Sequence, residues 1–423
     1  MGKRLIIHGA HPLYGDVRIS GFKNAAASIL PGTLLVDGIC IVENVPDIGD
    51  VRLTIEILQS LGARVRSLAD STLEIDSRFV SGRTVSTDLA GQMRASHFFL
   101  GALLGRFGEG RVSLPGGCDL GKRPIDQHLK GFEAMGASVR VENGAVHVSV
   151  QDGGRLKGTT IRFDMVTVGA TMNLMLAAAL ADGETVLENA AREPHIVDLA
   201  GFLNAMGAEV RGAGSETIRI RGVRSLPGGL YSIIPDQIEA GTYMAATAAA
   251  GGEITVRNVI PGHLACISST LREMGAEIEE DRDYVVVRRI GPLHATDIKT
   301  MPYPGFPTDM QPQFGALMSV AQNIGHISET IWPDRFRYVD GLRRMGAQVV
   351  VRDQTAVFKG CGKLRGADVS ACDLRAGAAL IIAGLAAEGT TRIDHVEYIE
   401  RGYENIAGKL RTLGADIWET EEA

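Results

Sequence analysis

The stretch LQSLGARV, residues 58–65, sets the reading of the whole chain because it returns. FEAMGASV (132–139), FLNAMGAEV (202–210), LREMGAEI (271–278), LRRMGAQV (342–349) and LRTLGADI (410–417) are variants of it. The shared glycines are Gly62, Gly136, Gly207, Gly275, Gly346 and Gly414, separated by 74, 71, 68, 71 and 68 residues. Six copies of a unit of about 70 residues therefore fill the 423-residue chain. In each copy an apolar-periodic run ends at the glycine, the residue that best accepts positive φ just past a helix. An alternating run follows, so each glycine marks a helix-to-strand junction.

A second marker precedes the first. TLLVDGICIVEN, AAALADGETVLEN, TAAAGGEITVRN and GLAAEGTTRIDH each read as the end of a small-residue helix, a glycine and a short strand. The unit is thus helix, strand, helix, strand, with further short strands toward its end. It is too long for a solenoid repeat, and six α/β units are expected to form two lobes of three. The first helices, among them NAAASILPGTLL, GATMNLMLAAAL, AGTYMAATAAA and LRAGAALIIAGLAA, carry almost no charge. A helix that is apolar all round is buried on all sides. The helices are therefore expected inside, the sheets outside, and the helix N-termini at a common place.

Bulk properties narrow the function. The chain is 45% apolar and 22% charged with a net charge of −7, which argues against a nucleic-acid partner. The first residues, MGKRLIIHGAHPLYG, hold too short an apolar run for a signal peptide, and no stretch reaches the roughly 18 apolar residues of a membrane span. A soluble cytoplasmic protein is expected. Five cysteines without CxxC spacing argue against zinc and against a disulfide framework. Cys40, Cys266, Cys361 and Cys372 read as small core residues, and His8 with His11 as a surface pair rather than a metal site. Cys118 differs by its context, VSLPGGCDLGKRPID (112–126). Gly116 and Gly117 precede it, and the nearby cations Lys122 and Arg123 favour thiolate over thiol.

The starts of the six first helices read GFKNAA, QMRASHF, TVGATMN, DQIEAGTY, FPTDMQPQF and CDLRAGAA. Lys23, Arg94 and Arg375 are cations at positive helix ends, where a bound phosphate or carboxylate is the simplest offset. Asp309 stands at the equivalent place as an acid. It reads equally as an N-cap and as a carboxylate facing a cationic site. Asp373 and Glu239 raise the same choice. Arg401, in IERGYENI, is expected to open the last helix, as a surface arginine or a further phosphate ligand.

The segments SGFKNAA, MRAS, RVSLPGGCDLGKRPIDQHL, VGAT, ENAAREPHIVD, FPTDMQPQF, DLRAGAAL and RGYENI, in this order along the chain, resemble the UDP-N-acetylglucosamine enolpyruvyl transferase family. The related 5-enolpyruvylshikimate-3-phosphate synthases share the six-unit fold and lack the cysteine loop. The resemblance implies an α/β fold, an inside-out α/β barrel of two domains with three repeats each. Residues 23–235 form one domain and 1–22 with 236–423 the other, with the active site in the cleft between them. It implies transfer of the enolpyruvyl group of phosphoenolpyruvate to the 3-hydroxyl of UDP-N-acetylglucosamine with release of phosphate, the first committed step of peptidoglycan synthesis. No metal or organic cofactor, nucleic acid or membrane is implied, and a monomer is expected.

By the same resemblance, Lys23 and Asn24 bind phosphoenolpyruvate, Arg123 and Arg401 lie near its phosphate, and Arg375 is a further site arginine. Arg94, the run Arg123, Pro124, Ile125, Asp126 and Gln127, then Val168, Asp309 and Ile331, contact the nucleotide sugar. Cys118 is the acid that protonates the methylene carbon, can form a phospholactoyl adduct, and is the thiol alkylated by fosfomycin. Asp309 takes the proton of the sugar hydroxyl. The chain departs from some relatives in carrying Met165, Thr167 and Gln237 in place of Lys, Ser and Arg, and Asp47 and Gly49 at positions that are basic elsewhere. Two competing readings are a paralogue with the same chemistry on another nucleotide sugar and an idle binding protein on this scaffold. The latter predicts loss of reactive residues, yet Lys23, Arg94, Cys118, Arg123, Asp309, Arg375 and Arg401 are all present.

Overall fold

Six four-stranded sheets of a single pattern make up the strand content of the described chain. In each, one edge strand runs parallel to its neighbour, and the other two pairings are antiparallel. The structure is a computed structural model and describes residues 2–113, 125–151, 154–360 and 362–421. Their contacts divide the described residues into two units, those within 21–234 and those within 1–20 and 235–423.

Each copy of the repeat runs inner helix, strand, outer helix, β-hairpin. In the first, Lys23–Gly32 leads to Ile39–Glu43, then Gly49–Ser60, then the hairpin of Arg64–Ala69 and Thr72–Asp76. The outer helix of every copy ends as its sequence predicts. Gly62, Gly136, Gly207, Gly275, Gly346 and Gly414 all have positive φ, from +90° to +106°. The unit of residues 21–234 closes on itself. Its last strand, Gly228–Ser232, returns to pair in parallel with Ile39–Glu43, in register from Gly228 with Ile39 to Ser232 with Glu43. In the other unit the N-terminal strands Lys3–His8 and Leu13–Arg18 complete two sheets whose remaining strands lie beyond residue 250.

The inner helices are buried, as helices without a polar face must be. Lys23–Gly32, Phe98–Phe107 and Val168–Ala178 pack on one another in one unit, and Gln237–Ala250, Gln311–Val320 and Leu374–Ala386 do so in the other. Small residues let them approach. Gly101 donates its backbone N–H to Asn173 Oδ1 at 2.9 Å, while Asn173 Nδ2 donates to the His97 carbonyl at 2.9 Å. A polar side chain is thereby satisfied inside an apolar layer. A Cβ added at Gly101 would lie 2.3 Å from both the Asn173 carbonyl oxygen and its Oδ1, and the backbone oxygen cannot swing away. Among the described residues no helix is long and apolar enough to cross a membrane.

Gly101→Ala is predicted to destabilise the chain by about 1–3 kcal/mol through overpacking, read as a fall of several degrees in melting temperature. An unchanged melting temperature would mean that the two helices separate at no cost.

Candidate active site

In the unit built from both ends of the chain, the starts of the three inner helices hold one polar cluster. FPTDMQPQF begins with a 3₁₀ turn, Thr308–Met310, before the helix Gln311–Val320. Neither element has a side-chain N-cap, so Asp309 does not cap. Its Oδ1 accepts from Arg335 Nη2 at 2.8 Å and its Oδ2 from Arg375 Nη2 at 3.1 Å. Both arginine side chains are buried, 3% and 4% exposed, while the Asp309 side chain is 26% exposed and open to a ligand. Burial alone would raise the Asp309 pKa. The charges of Arg375 and Arg335, with their hydrogen bonds, outweigh it and hold the carboxyl well below the usual carboxylate range.

Arg375 lies in the first turn of its helix, whose true N-cap is Asp373, accepting from the backbone N–H groups of Arg375 (2.8 Å) and Ala376 (3.0 Å). Arg375 Nη1 also donates to the Tyr403 hydroxyl at 3.3 Å. That hydroxyl lies 2.8 Å from Thr242 Oγ1 and accepts from Gln313 Nε2 at 3.3 Å. All three inner helices therefore contribute. Glu239 is not a cap either. Its buried carboxylate accepts from Lys409 Nζ (2.6 Å) and the Ser20 N–H (2.9 Å), and burial pushes its pKa up to about 7.

Arg335 and Glu329 were not singled out from the sequence. Glu329 is fully buried and accepts from Thr308 Oγ1 (2.9 Å), Thr300 Oγ1 (2.9 Å) and the backbone N–H groups of Ile331 (2.8 Å) and Trp332 (3.1 Å). It thus ties the turn that carries Asp309 to the segment that carries Ile331. The one signal for Arg335 was a charge inside a stretch rich in bulky apolar side chains, IWPDRFRYV (331–339), and Glu329 stands two residues before it.

In the other unit Lys23 is the first residue of its helix, which no side chain caps, with half-buried Asn24 beside it. Lys23 Nζ pairs with Asp50 Oδ2 at 2.8 Å, the two side chains 14% and 8% exposed. The sequence suggested a bound anion at Lys23 and Arg375. The chain supplies carboxylates to both, Asp50 and Asp309.

Arg94 opens the 3₁₀ turn Arg94–His97. His97 Nδ1 donates to the Arg94 carbonyl at 2.6 Å, and burial pushes the His97 pKa down to about 4. His128 Nδ1 lies 3.0 Å from Asn173 Nδ2 and accepts from it, and burial lowers this histidine as well. Both are neutral at pH 7, with ring centroids 4.8 Å apart. Both Nε2 atoms face Gly169, where a Cβ would lie 3.0 Å from His128 Nε2 and 3.5 Å from His97 Nε2. Arg94 and Val168, the neighbour of Gly169, thus flank a histidine pair that the sequence reading missed. Ile125 precedes the helix Asp126–Ala134, on which Asp126 is exposed and Gln127 buried. The Gln127 amide accepts from the Asp164 N–H (3.1 Å) and donates to Asp164 Oδ2 (2.9 Å), so its side chain holds a loop.

Some expectations are corrected. Arg401 does not open the last helix: it follows the short helix Glu397–Glu400, and the last helix, Ile406–Thr412, begins at the N-cap Asn405. Asn405 adopts φ +46° and accepts from the Gly408 N–H, which stops the chain between the two helices. Cys40 is a core residue, its thiol pushed up to about 12 by burial, but Cys266 and Cys372 are half-buried rather than core. Thr167 caps the helix Val168–Ala178, and Met165 is 65% exposed. Cys118, Arg123, Pro124 and Cys361 lie outside the described residues. Among the described residues no group of three or more His, Cys, Asp or Glu is placed to hold a metal ion.

Comparison with known proteins adds the context. The family model described as EPSP synthase (3-phosphoshikimate 1-carboxyvinyltransferase) matches residues 7–410. A UDP-N-acetylglucosamine 1-carboxyvinyltransferase of Clostridium botulinum is 54% identical over 415 residues, 98% of this chain and 99% of that one. The crystal structure of the enolpyruvyl transferase NikO from Streptomyces tendae is similar over 100% of both chains, with a TM-score of 0.89 at 28% identity. An EPSP synthase from Acinetobacter baumannii shares the fold at a TM-score of 0.76 and 19% identity, again over 100% of both chains.

Two outcomes follow from the ion pairs. The depressed pKa of Asp309 contributes stability that is present above its unfolded value, about 3.9, and is lost as pH falls through its folded value. Urea titration should therefore find Asp309→Asn less stable than the parent by about 3 kcal/mol between about pH 5 and 8, with the gap narrowing below about pH 4. A gap that stays constant down to about pH 3 contradicts the ion pair. For Lys23 and Asp50, a double-mutant cycle with Lys23→Met and Asp50→Asn should return a coupling of about 1–3 kcal/mol. Additive losses would show that the pair is not energetically linked.

Proposed function

Because the chain belongs to the UDP-N-acetylglucosamine 1-carboxyvinyltransferase family of enolpyruvyl transferases, we propose that it moves the enolpyruvyl group of phosphoenolpyruvate to the 3-hydroxyl of UDP-N-acetylglucosamine. This is the reaction that commits UDP-N-acetylglucosamine to peptidoglycan synthesis. The observation that carries the proposal is the end-to-end identity of 54% with a protein of that name. The geometry supports it through Asp309, a ligand-accessible carboxylate kept ionised between two buried arginines. The two guanidinium groups beside it are donors that an anionic substrate can engage.

The chemistry distributes over the residues as follows. The sugar oxygen adds to C2 of phosphoenolpyruvate as Asp309 takes the hydroxyl proton. C3 receives a proton from Cys118, and the double bond becomes a single bond. The tetrahedral adduct then loses a proton from C3, which makes good the one Cys118 gave, and phosphate from C2, which carries off the proton Asp309 took, and the double bond of the enolpyruvyl ether is restored. Lys23, Asn24, Arg123, Arg375 and Arg401 hold the phosphate and carboxylate. Arg94, Pro124, Ile125, Asp126, Gln127, Val168 and Ile331 hold the nucleotide sugar. The unprotonated state of Asp309 at neutral pH follows from its arginines. Histidines 97 and 128 stay neutral beside Arg94, so they add no charge that would compete for the diphosphate.

Phosphate release is the direct test. The purified chain should release phosphate with phosphoenolpyruvate and UDP-N-acetylglucosamine at least tenfold faster, by kcat/KM, than with other UDP sugars, a discrimination of roughly 1.4 kcal/mol or more. Cys118→Ala should abolish release and leave sugar-nucleotide binding intact, whereas Cys118→Asp, which still presents an acid, should retain it and resist fosfomycin. Normal release by Cys118→Ala, or equal rates with every UDP sugar, contradicts the proposal.

A further inference from the structure

One sheet carries a row of unpaired cations on its outer face. It is built from Thr84–Val85, Glu109–Ser113, Ala145–Val150 and Ala137–Glu142, in that spatial order. Its inner face, with Val112, Val146 and Val148 buried, packs on the helix Phe98–Phe107. On the other face the register sets Thr84, Arg111, His147 and Arg140 side by side, one from each strand, and all four are exposed. Like charges directly opposite one another destabilise a sheet, and a protonated His147 adds a third charge to the two arginines. Among the described residues none of Arg111, His147 and Arg140 makes an ion pair or a side-chain hydrogen bond. Arg111 and His147 line a cleft of about 480 Å³, in which Ala145, two residues before His147, leaves room. Two acids line it as well, Glu109 one row to one side of Arg111 and Glu142 one row to the other side of Arg140. Glu109 Oε1 lies 3.8 Å from Arg83 Nε, and Arg83 is fixed over the Phe107 ring at 3.4 Å. Glu142 has no cationic partner among the described residues.

We propose that this outer face is a second binding site, a cleft that takes a sugar phosphate, with the phosphate on Arg111 and His147 and the sugar hydroxyls on Glu109 and Glu142. It shares no residue with the candidate active site. A phosphate supplies the negative charge that the row lacks, and it accepts charge-assisted bonds from a guanidinium and an imidazolium. Carboxylates repel a bare anion but accept hydrogen bonds from hydroxyl groups, so acids on both sides of the row select a ligand with both kinds of group. Asn143, in the turn between the last two strands, adds an amide at the rim. The volume suits a small molecule, whereas a flat anionic bilayer is repelled by the exposed acids. His147 is faced by Arg111 and Glu109 from one neighbouring strand and by Arg140 and Glu142 from the other, with Arg83 beyond Glu109. The helix beneath turns its Arg106 away, to the Leu34 and Val36 carbonyls. A phosphate beside His147 favours its protonated form, so binding tightens as pH falls from about 8 to about 6.5.

The test uses the full chain at constant ionic strength, with glucose 6-phosphate, inorganic phosphate and glucose as probes. The His147 imidazole resonance, identified in ¹⁵N-histidine spectra by its loss in His147→Gln, reports occupancy at this place and not at the helix starts. Glucose 6-phosphate should raise its titration midpoint by about half a pH unit or more, and glucose alone should leave it unmoved. Half-saturation should come at a concentration roughly threefold or more below that of inorganic phosphate. Arg111→Gln should raise the half-saturating concentration of glucose 6-phosphate by roughly fivefold or more, and Arg140→Gln, beside the cleft, by about twofold. Glu142→Ala should narrow the difference between the two phosphates. Arg375→Met, at the candidate active site, and Arg392→Gln, on another outer strand and paired with Asp368, should stay within about twofold of the parent. The proposal is overturned if glucose 6-phosphate leaves the midpoint unchanged, if it binds no better than inorganic phosphate, or if its effect survives intact in Arg111→Gln. Loss of the effect in Arg375→Met overturns it too. An equal shift with vesicles of phosphatidylcholine and phosphatidic acid would overturn it in favour of a membrane surface.

Discussion

A helix without a polar face has one stable place, which is inside. Six times in this chain a run of alanine, glycine and large aliphatic residues forms such a helix, and in each unit three of them pack together. Everything else follows from hiding them. Each four-stranded sheet takes its parallel edge strand from outside its own repeat. The close contacts need small residues, as at Gly101 against Asn173. What such helices still present is their ends, so the ends are where charge collects.

Charge at these ends has a physical cost that the chain answers with carboxylates. A cation at the start of a helix opposes the macrodipole. Lys23 is offset by Asp50, and Arg375 by Asp309 in front of it and by the cap of Asp373 behind it. These buried and half-buried pairs hold their members in one ionisation state and one orientation, which a reaction needs more than it needs stability. The same logic accounts for the histidines near Arg94. Burial keeps them neutral, so they shape the surface without adding a second charge.

The sequence was most legible where the physics is local. Glycine after a helix, a strand of alternating residues and an uncharged helix each announce themselves within a dozen residues, and six copies reinforce the reading. The charged residues at inner-helix starts, Lys23, Arg94, Asp309 and Arg375, were visible for the same reason. The partnerships were not. Arg335 lies 26 residues from Asp309 and 40 from Arg375, in a strand-to-helix connection whose length varies among the copies, so no local pattern pointed to it. Asp309 read equally as a cap, because a cap and an ion pair use the same residue type at the same position. Only the 3₁₀ turn, which shifts the helix start past it, separates them. Arg401 was misplaced because ERGYEN continues a helical pattern that Asn405, in the left-handed region, interrupts.

We propose that Lys23 and Arg375, cations at inner helix starts held by internal carboxylates, each bind the anionic substrate. Equilibrium dialysis with labelled phosphoenolpyruvate tests it most directly, comparing the full-length chain with Lys23→Met, Arg375→Met and a control, Arg219→Met, whose arginine lies on an outer strand paired with Glu184. Each of the first two should weaken binding roughly tenfold or more, while the control stays within about twofold. Binding by Lys23→Met and Arg375→Met as tight as in the parent chain would contradict it.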